Sequence, residues 1–146
     1  MISGNVKQTQ EIAKELVKQI VGLPMSNKSI IVGLSGELGS GKTTFAQGFA
    51  RALGVKERVI SPTFVILKRF KIRGSRFKNL IHIDAYRINK PKEIIDLGWK
   101  EIINDPQNII LIEWAEKIKK ILPQKHFFIN FKHINKNKRW IKIKKF

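Results

Sequence analysis

The sequence predicts an α/β fold of three layers, with helices on both faces of a central, mostly parallel sheet and a β-hairpin at the C-terminus. Short apolar runs, typical of strands buried on both faces, alternate with helical stretches through the middle of the chain. Two further strand-like segments at the end flank an Asn-Lys turn, as in a hairpin. Because the chain has 146 residues, 42% of them hydrophobic, we expect a single domain over residues 1–146.

Hydrophobic periodicity predicts the helices. Apolar residues recur every fourth position after Thr9, which is the expected N-cap of a helix that ends at Gly22. A second helix should run over 42–53, because Gly54 follows as a C-terminal stop. Two later stretches are also typical of helices, namely 93–97 and 115–122.

The strands are predicted from short apolar runs bounded by turn residues. The run at 30–34 is nearly continuous, which favours a strand in the middle of a parallel sheet. The other expected strands are 59–60 with a continuation at 65–67, 80–83, 109–112, 127–131 and 139–143. Between 65–67 and 80–83 lies a basic turn, Lys71 to Lys78.

Residues 36–44 read Gly-Glu-Leu-Gly-Ser-Gly-Lys-Thr-Thr and fit the phosphate-loop pattern G-x-x-x-x-G-K-[ST]. Glycines let the backbone approach phosphate oxygens, and successive N–H groups at a helix N-terminus attract anions. Lys42 should neutralise the β and γ phosphates, and the Thr43 hydroxyl should ligate Mg²⁺. The sequence therefore predicts a P-loop NTPase-like domain with an ATP site formed by Glu37, Leu38, Gly39, Ser40, Gly41, Lys42, Thr43 and Thr44.

The metal and the attacking water need carboxylates at strand ends beside this loop. Of the eleven acidic residues, two directly follow apolar strands, Asp84 and Glu113. Either could hold Mg²⁺ directly or through water, or orient the attacking water. We therefore expect Lys42, Asp84 and Glu113 to be catalytic. The expected metal ligands are Thr43, Glu113 and Asp84.

Ser61-Pro62-Thr63 places two hydroxyls around a proline, and such a segment could sense the γ-phosphate as switch loops do. On its own the segment is more typical of a polar turn. His82 and Tyr86, on either side of Asp84, are equally ambiguous when taken alone.

The formal net charge is +18 and the sequence pI is about 10.4. From Lys117 to Phe146 there are ten lysines, one arginine and no acid. This charge favours a polyanion such as RNA, an acidic protein partner or the nucleotide, although lysine is abundant throughout the chain. No apolar run suits a membrane span, the start lacks the apolar core of a secretory signal, and cysteine is absent, so we expect a cytoplasmic protein.

Taken together, the motifs resemble the TsaE (YjeE) family over nearly the whole chain. The resemblance rests on the phosphate loop, followed in order by Ser-Pro-Thr-Phe, His-Ile-Asp-Ala-Tyr-Arg and Ile-Glu-Trp-Ala-Glu. This chain departs mildly from the family pattern, with Glu37 for Asp, Ser40 for Ala, Phe70 for Tyr and Ala115 for Pro. None of these departures removes a group that the chemistry requires.

The resemblance implies a bacterial Mg²⁺-dependent ATPase, a hydrolase acting on ATP, that supports N6-threonylcarbamoylation of adenosine 37 in tRNAs reading codons that begin with A. The family joins a TsaB–TsaD pair and keeps that transferase turning over, which implies direct or indirect tRNA contact through the basic surface. The resemblance assigns a switch or partner role to Ser61, Thr63, His82, Tyr86, Arg87 and Trp114. It also places Thr9 and Arg139 at the nucleoside end, and Arg87 is a candidate arginine finger.

Two rival functions remain open at the level of sequence. A small-molecule kinase would also use a phosphate loop, but Lys71–Lys78 is the only candidate for the lid that such enzymes need. A basic nucleic-acid-binding module would use the loop to hold backbone phosphate, and its affinity for RNA would depend on salt but not on ATP.

Overall fold

The computed structural model describes residues 1–37, 39–60 and 66–146, and within these residues seven strands form one sheet. The strand order is β1-β7-β6-β2-β5-β4-β3. The strands are β1 (Ile2–Ser3), β2 (Ile30–Ser35), β3 (Leu67–Lys71), β4 (Asn79–Asp84), β5 (Asn108–Glu113), β6 (Phe127–His133) and β7 (Arg139–Lys145).

The centre of the sheet is parallel, because β6 pairs with β2, β2 with β5, and β5 with β4 in that sense. The outer strands β3, β7 and β1 run antiparallel to their neighbours, and β6 with β7 forms the C-terminal hairpin. The predicted fold class, a mostly parallel sheet with a terminal hairpin, is confirmed. The parallel strands β2, β4 and β5 end at the same edge of the sheet, which brings Ser35, Asp84 and Glu113 to one place.

Helices cover the two faces of the sheet. They are α1 (Val6–Val21), α2 (Lys42–Ala52), α3 (Lys92–Ile95), α4 (Trp99–Ile103) and a 3-10 helix (Ala115–Ile121). All six residues of β5 are buried, and their side chains alternate between two cores. Leu111 packs with α1 and α2, whereas Ile110 and Ile112 pack with the shorter helices. Residues 109–112, predicted as a strand, therefore lie in a strand that is buried on both faces.

Helix α1 begins four residues earlier than predicted, and Thr9 is not its N-cap. The cap is Asn5, whose Oδ1 accepts a hydrogen bond from the Gln8 N–H at 2.8 Å. Thr9 lies inside the helix and is fully buried. The periodicity located the helix, but two good capping residues lie within four positions of one another, and packing of Thr9 against Ser3 decided between them.

Several other boundaries differ from the sequence prediction. Residues 59–60 are irregular rather than a strand, and β3 begins at Leu67. The predicted helix over 93–97 is α3, and a further helix, α4, follows after Gly98, which has a φ of 93°. The two-residue strand β1 was not predicted, and the helix expected over 115–122 has 3-10 geometry. Short elements carry too few apolar repeats for periodicity to define them.

In the part of the chain that the structure describes, no helix is long and apolar enough to cross a membrane.

Candidate functional site

The loop between β2 and α2 has the backbone that its glycines predict. Gly36 has a φ of 149° and Gly41 a φ of 105°, both in the region that side chains disfavour. A Cβ on Gly36 would lie 2.6 Å from the carbonyl oxygen of Phe131, and one on Gly41 would lie 2.9 Å from Cδ of Arg139. Both glycines therefore meet strand residues of the terminal hairpin, which forms one wall of the loop.

Lys42 points back into this loop. Its ammonium donates to the carbonyl oxygen of Gly36, to that of Glu37 at 2.8 Å and to the Ser40 hydroxyl at 3.3 Å. The residue is only 5% exposed. The indole ring of Trp114 lies 4.0 Å from Nζ, so the cation also faces an aromatic ring. The positive charge is thus held at the concave side of the loop.

Burial lowers the pKa of Lys42, because removal from water disfavours the charged form. The carboxylates of Glu116, Glu113 and Asp84 oppose this shift, in that order of strength. Most of the acids around the loop thus act to retain the proton that a phosphate-binding lysine needs.

The hydroxyl of Thr43 and the carboxylate of Glu113 are joined. Thr43 Oγ1 donates to Glu113 Oε1 at 3.0 Å. The other carboxylate oxygen, Oε2, lies 2.6 Å from Nε2 of His82. A carboxylate can only accept, so Nε2 carries the proton of that hydrogen bond. Two side chains therefore fix the orientation of Glu113.

His82 and Glu113 are both buried, at 1% and 2% exposure. Nδ1 of His82 is buried as well and has no hydrogen-bond partner among the described residues. The predicted switch or partner histidine therefore lies inside the protein, where a partner surface does not reach it. Any effect it has on the site passes through Glu113.

Asp84 is next to Glu113 in the register of β4 and β5. Its Oδ1 accepts a hydrogen bond from the Tyr86 N–H at 3.0 Å. Burial raises the pKa of Asp84, and the nearby charge of Glu113 adds to that effect. The two strand-end acids singled out from the sequence thus lie side by side at the loop.

The oxygen atoms at this edge of the sheet suit Mg²⁺ better than a metal ion that is held entirely by protein side chains. No group of three or more His, Cys, Asp or Glu side chains that could hold a metal ion occurs in 1–37, 39–60 and 66–146. Mg²⁺ prefers oxygen ligands and is usually bound by one or two protein groups together with phosphate and water. The Thr43 hydroxyl and the carboxylates of Glu113 and Asp84 supply oxygens of that kind.

Aromatic residues line the other side of the loop. The rings of Tyr86 and Trp114 are 5.0 Å apart, and Lys117 donates to the carbonyl oxygen of Tyr86. Trp114 has a φ of 59°, the only positive φ of a non-glycine residue in the described ranges, and this turn directs its ring toward Lys42. Tyr86 and Arg87 are exposed on the turn after β4.

Thr9 and Arg139 are both connected to the loop. Arg139 lies against Gly41, and its backbone pairs with Ser3 of β1. The Ser3 hydroxyl is 2.7 Å from that of Thr9. Nε of Arg139 is buried and has no hydrogen-bond partner among the described residues. Thr9 itself is fully buried, so it touches the loop region through Ser3.

Glu116 is a residue of the site that elimination from the sequence left out. It was assigned to a helical stretch, but its Oε2 accepts from the Ser35 hydroxyl at 2.7 Å and from the Gly36 N–H at 3.4 Å. It follows Glu113 by three positions, within the Ile-Glu-Trp-Ala-Glu motif. The positive φ of Trp114 turns the chain there and brings Glu116 back toward the loop.

The remaining predicted residues divide between the loop and the undescribed parts of the chain. Ser40 is buried, Thr44 is half-buried, and Glu37 and Gly39 are exposed. Leu38, Ser61 and Thr63 lie outside the described residues, so their roles stay predictions.

Comparison with known proteins gives a consistent result. The sequence model of a family described as "Threonylcarbamoyl adenosine biosynthesis protein TsaE" matches residues 3–141. The chain is similar to the tRNA threonylcarbamoyladenosine biosynthesis protein TsaE of Rickettsia typhi, with 38% identity over 140 residues, 95% of this chain and 90% of the relative. The protein of the same name from Bacillus subtilis is 36% identical over 137 residues, 94% of this chain and 79% of the relative.

The fold is similar to that of a solved structure. The crystal structure of YdiB from Bacillus subtilis superposes with a TM-score of 0.72 and 30% sequence identity. The match covers 98% of this chain and 82% of that one. The similarity therefore includes the sheet, both helical layers and the terminal hairpin.

Proposed function

The chain belongs to the TsaE family of threonylcarbamoyladenosine biosynthesis proteins, and on this premise we propose that it is a magnesium-dependent ATPase of tRNA modification. The proposal includes binding to a TsaB–TsaD-type pair in the cytoplasm and support of its turnover on adenosine 37 through ATP binding and hydrolysis. The similarity to the family concerns the biosynthetic role, whereas this chain's own residues support the ATPase chemistry.

One observation carries the nucleotide part of the proposal, the hydrogen bond of 3.0 Å from Thr43 Oγ1 to Glu113 Oε1. It joins the hydroxyl that follows the phosphate-loop lysine to a carboxylate at the end of the neighbouring strand. The Thr43 hydroxyl and the Glu113 carboxylate are the groups that would hold a nucleotide-bound Mg²⁺. Bound Mg²⁺ would neutralise phosphate charge.

The phosphate loop would supply binding and positioning. Lys42 is desolvated and held by carbonyl oxygens of Gly36 and Glu37, and phosphate oxygens would be stronger partners for its charge. The N–H groups at the start of α2 point toward the same place and add a partial positive charge. Both effects attract the polyphosphate and require no covalent intermediate.

The carboxylates would complete the site. Glu113, oriented by His82 and Thr43, is the better-positioned acid, because both of its oxygens are fixed in the ligand-free protein. His82 is then a positioning residue that acts through Glu113. Asp84 is adjacent in register and could take the second role, either on the metal shell or on the attacking water.

Hydrolysis by the isolated protein should be slow, because catalysis here would consist of positioning and charge neutralisation alone. A partner that supplies a further cation commonly accelerates such enzymes by several orders of magnitude. Tyr86 and Arg87 lie on the turn after β4 and are exposed. Arg87 is the candidate for an arginine finger from this chain.

Binding of ATP tests the loop. Lys42→Ala should abolish ATP binding in calorimetry, because it removes the buried ammonium that the loop carbonyls of Gly36 and Glu37 hold. Lys14→Ala is the matched control, since Lys14 is exposed on α1 and should leave affinity unchanged. If Lys42→Ala retained its affinity for ATP, the assignment of residues 36–44 as a phosphate loop would be wrong.

Turnover tests the acids. Glu113→Ala should bind nucleotide but stop phosphate release, and Asp84→Ala is its matched comparison on the neighbouring strand. Normal hydrolysis by Glu113→Ala would move the catalytic role to Asp84. Phosphate should appear without any phosphorylated small molecule, and detection of such an acceptor would favour a kinase instead.

The role in modification is tested by reconstitution. The protein is mixed with a TsaB–TsaD-type pair, tRNA, threonylcarbamoyl donor and ATP, and modification cycles per pair are counted. Wild type should support repeated cycles and Lys42→Ala should not. Equal numbers of cycles with both proteins would contradict the proposed link between ATP and transferase turnover.

A further inference from the structure

One end of the sheet has a face that none of the described helices covers. Strand β7 directs Arg139, Ile141 and Ile143 toward α1 and α2, where Ile141 is fully buried. Its alternate residues therefore point to the opposite side. We call this side, on β1, β7 and β6, the open basic face. It consists of Ile2, Asn130, Lys132, Trp140, Lys142 and Lys144.

The layer that contains the 3-10 helix ends before it reaches the open basic face. The 3-10 helix packs so closely on β2 that a Cβ on Gly33 would lie 2.8 Å from that of Ala115. The same helix covers Phe128 of β6, which is 6% exposed. The next residues of β6 on this side, Asn130 and Lys132, become progressively more exposed. The face is thus a sheet surface turned toward solvent.

The charge on this face has one sign. Lys132, Lys142 and Lys144 are all exposed. A fourth lysine, Lys119, lies at its border, with Nζ 5.2 Å from the centre of the Phe128 ring. Because the chain has no acid from Lys117 onward, neither strand of the hairpin carries a neutralising carboxylate. Such a surface attracts a polyanion.

An exposed indole lies among these lysines. Trp140 is 45% exposed and pairs in register with Lys132 on one side and with Ile2, 57% exposed, on the other. Trp140 and Ile2 together form a contiguous apolar patch with lysines around it, and such a patch is a feature of binding surfaces. Sheet faces that combine exposed aromatics with lysines bind unstacked bases, because the ring stacks on a base while the ammonium groups contact phosphates.

We propose that the open basic face binds RNA, with Trp140 stacking on an unpaired base and Lys132, Lys142 and Lys144 contacting the backbone. A second copy of this chain is disfavoured as the occupant, because it would oppose lysines to lysines. An acidic protein would satisfy the charge but would not need the ring. The surface is separate from the nucleotide residues, so the proposal can fail while the ATPase proposal stands.

The test measures binding of a fluorescein-labelled 12-nucleotide oligouridylate by anisotropy, over a series of salt concentrations. The face variant is K132E/K142E/K144E. The matched control is K7E/K14E/K18E, which changes the net charge equally on the exposed side of α1, in the opposite layer. The face variant should lose at least about tenfold in affinity relative to the control, and the slope of log K against log salt should become shallower by about 2.

The contribution of the ring is measured separately with Trp140→Ala. Stacking is worth about 1–3 kcal/mol per base, so affinity should fall by about fivefold or more. A 12-base-pair RNA duplex, which offers no unpaired base, should bind more weakly than the oligouridylate and should be insensitive to Trp140→Ala. Ultraviolet crosslinking of the wild-type protein should attach the oligouridylate to a peptide containing Trp140, and this readout does not depend on any variant folding.

Three results would overturn the proposal. Equal losses in the face variant and the α1 control would mean that RNA responds to total charge. Unchanged binding by Trp140→Ala, with no crosslink in β7, would remove the stacking role. Full RNA binding by the face variant, combined with loss of binding to a TsaB–TsaD-type pair, would show that the face meets an acidic protein. ATP affinity, measured in parallel, should be unchanged in every variant.

Discussion

Gly36→Ala tests whether the terminal hairpin holds the phosphate loop in place. At position 36 a Cβ would meet the carbonyl oxygen of Phe131 at 2.6 Å, the Ser40 hydroxyl at 2.8 Å and Cβ of Phe131 at 3.0 Å. The first and third of these atoms cannot swing away, so the loop or β6 must move. Gly74→Ala is the matched control, because Gly74 also has a positive φ, 71°, but has nothing within 4 Å of the added carbon.

Two contributions to the change in the free energy of unfolding are common to both substitutions, and a third applies to Gly36→Ala alone. Forcing a side chain into such a backbone conformation costs about 1–3 kcal/mol at each site. Loss of freedom in the unfolded chain offsets about 0.4–1 kcal/mol of this in both proteins. Overpacking then adds about 1–3 kcal/mol at Gly36 alone. The expected difference between the variants is therefore about 1–3 kcal/mol.

Thermal unfolding followed by circular dichroism measures this difference. For a chain of this size 1 kcal/mol corresponds to about 3 °C, so Gly36→Ala should melt about 3–10 °C below Gly74→Ala. Its ATP affinity should also fall, because the N–H groups of the loop move, while that of Gly74→Ala should not. Equal melting temperatures would refute the argument that the hairpin constrains the loop at Gly36.

Three further predictions concern the helix cap, the half-buried Asp84 and the overlooked carboxylate of Glu116. Asn5→Ala should lower the free energy of unfolding by about 1 kcal/mol, because it removes the α1 cap, and an unchanged melting temperature would restore Thr9 to that role. Asp84→Asn should raise the melting temperature of the ligand-free protein at neutral pH. Burial raises the pKa of Asp84, so the folded state binds a proton that the unfolded chain has released, and stability falls as pH rises through that interval. The gain should shrink as pH approaches the ordinary aspartate pKa, and a constant gain would mean that ionisation is not its cause. Glu116→Ala should weaken ATP binding about two- to tenfold, because it frees the Ser35 hydroxyl and the loop N–H that follows, whereas Glu116→Gln should keep those bonds and most of the affinity. Equal losses in both Glu116 variants, measured by calorimetry, would assign the effect to charge.

The long, regular elements were predictable because each contains enough apolar residues to show either a helical repeat or a strand-length run. The Ile-rich runs of β2, β4 and β5 are short and bounded by turn residues, which favours strands, and the fourfold spacing before Gly22 favours a helix. The short elements were not predictable on these grounds. Strand β1 has two residues and exists because its backbone pairs with Trp140 and Arg139 across the length of the chain.

The residues of the site likewise divide into those that the sequence predicted and those that it did not. The glycine pattern and Lys42-Thr43 defined a phosphate loop by local chemistry, since the required backbone angles and donors all come from consecutive residues. Position at a strand end was enough to single out Asp84 and Glu113. The sequence could not reveal that His82 fixes Glu113 at 2.6 Å, because that contact joins two strands through their register.

By itself, then, the sequence determined the fold class, the phosphate loop and the pair of strand-end acids, because each depends on short-range patterns that leave few alternatives. Only the tertiary structure decided that Glu116 reaches the loop, that Arg139 lies against Gly41, and that one sheet face remains open with Trp140 among lysines. These features arise where distant segments meet, through the turn at Trp114 and the pairing of β1, β7 and β6. A pattern of neighbouring residues does not specify contacts between segments that are far apart in the sequence.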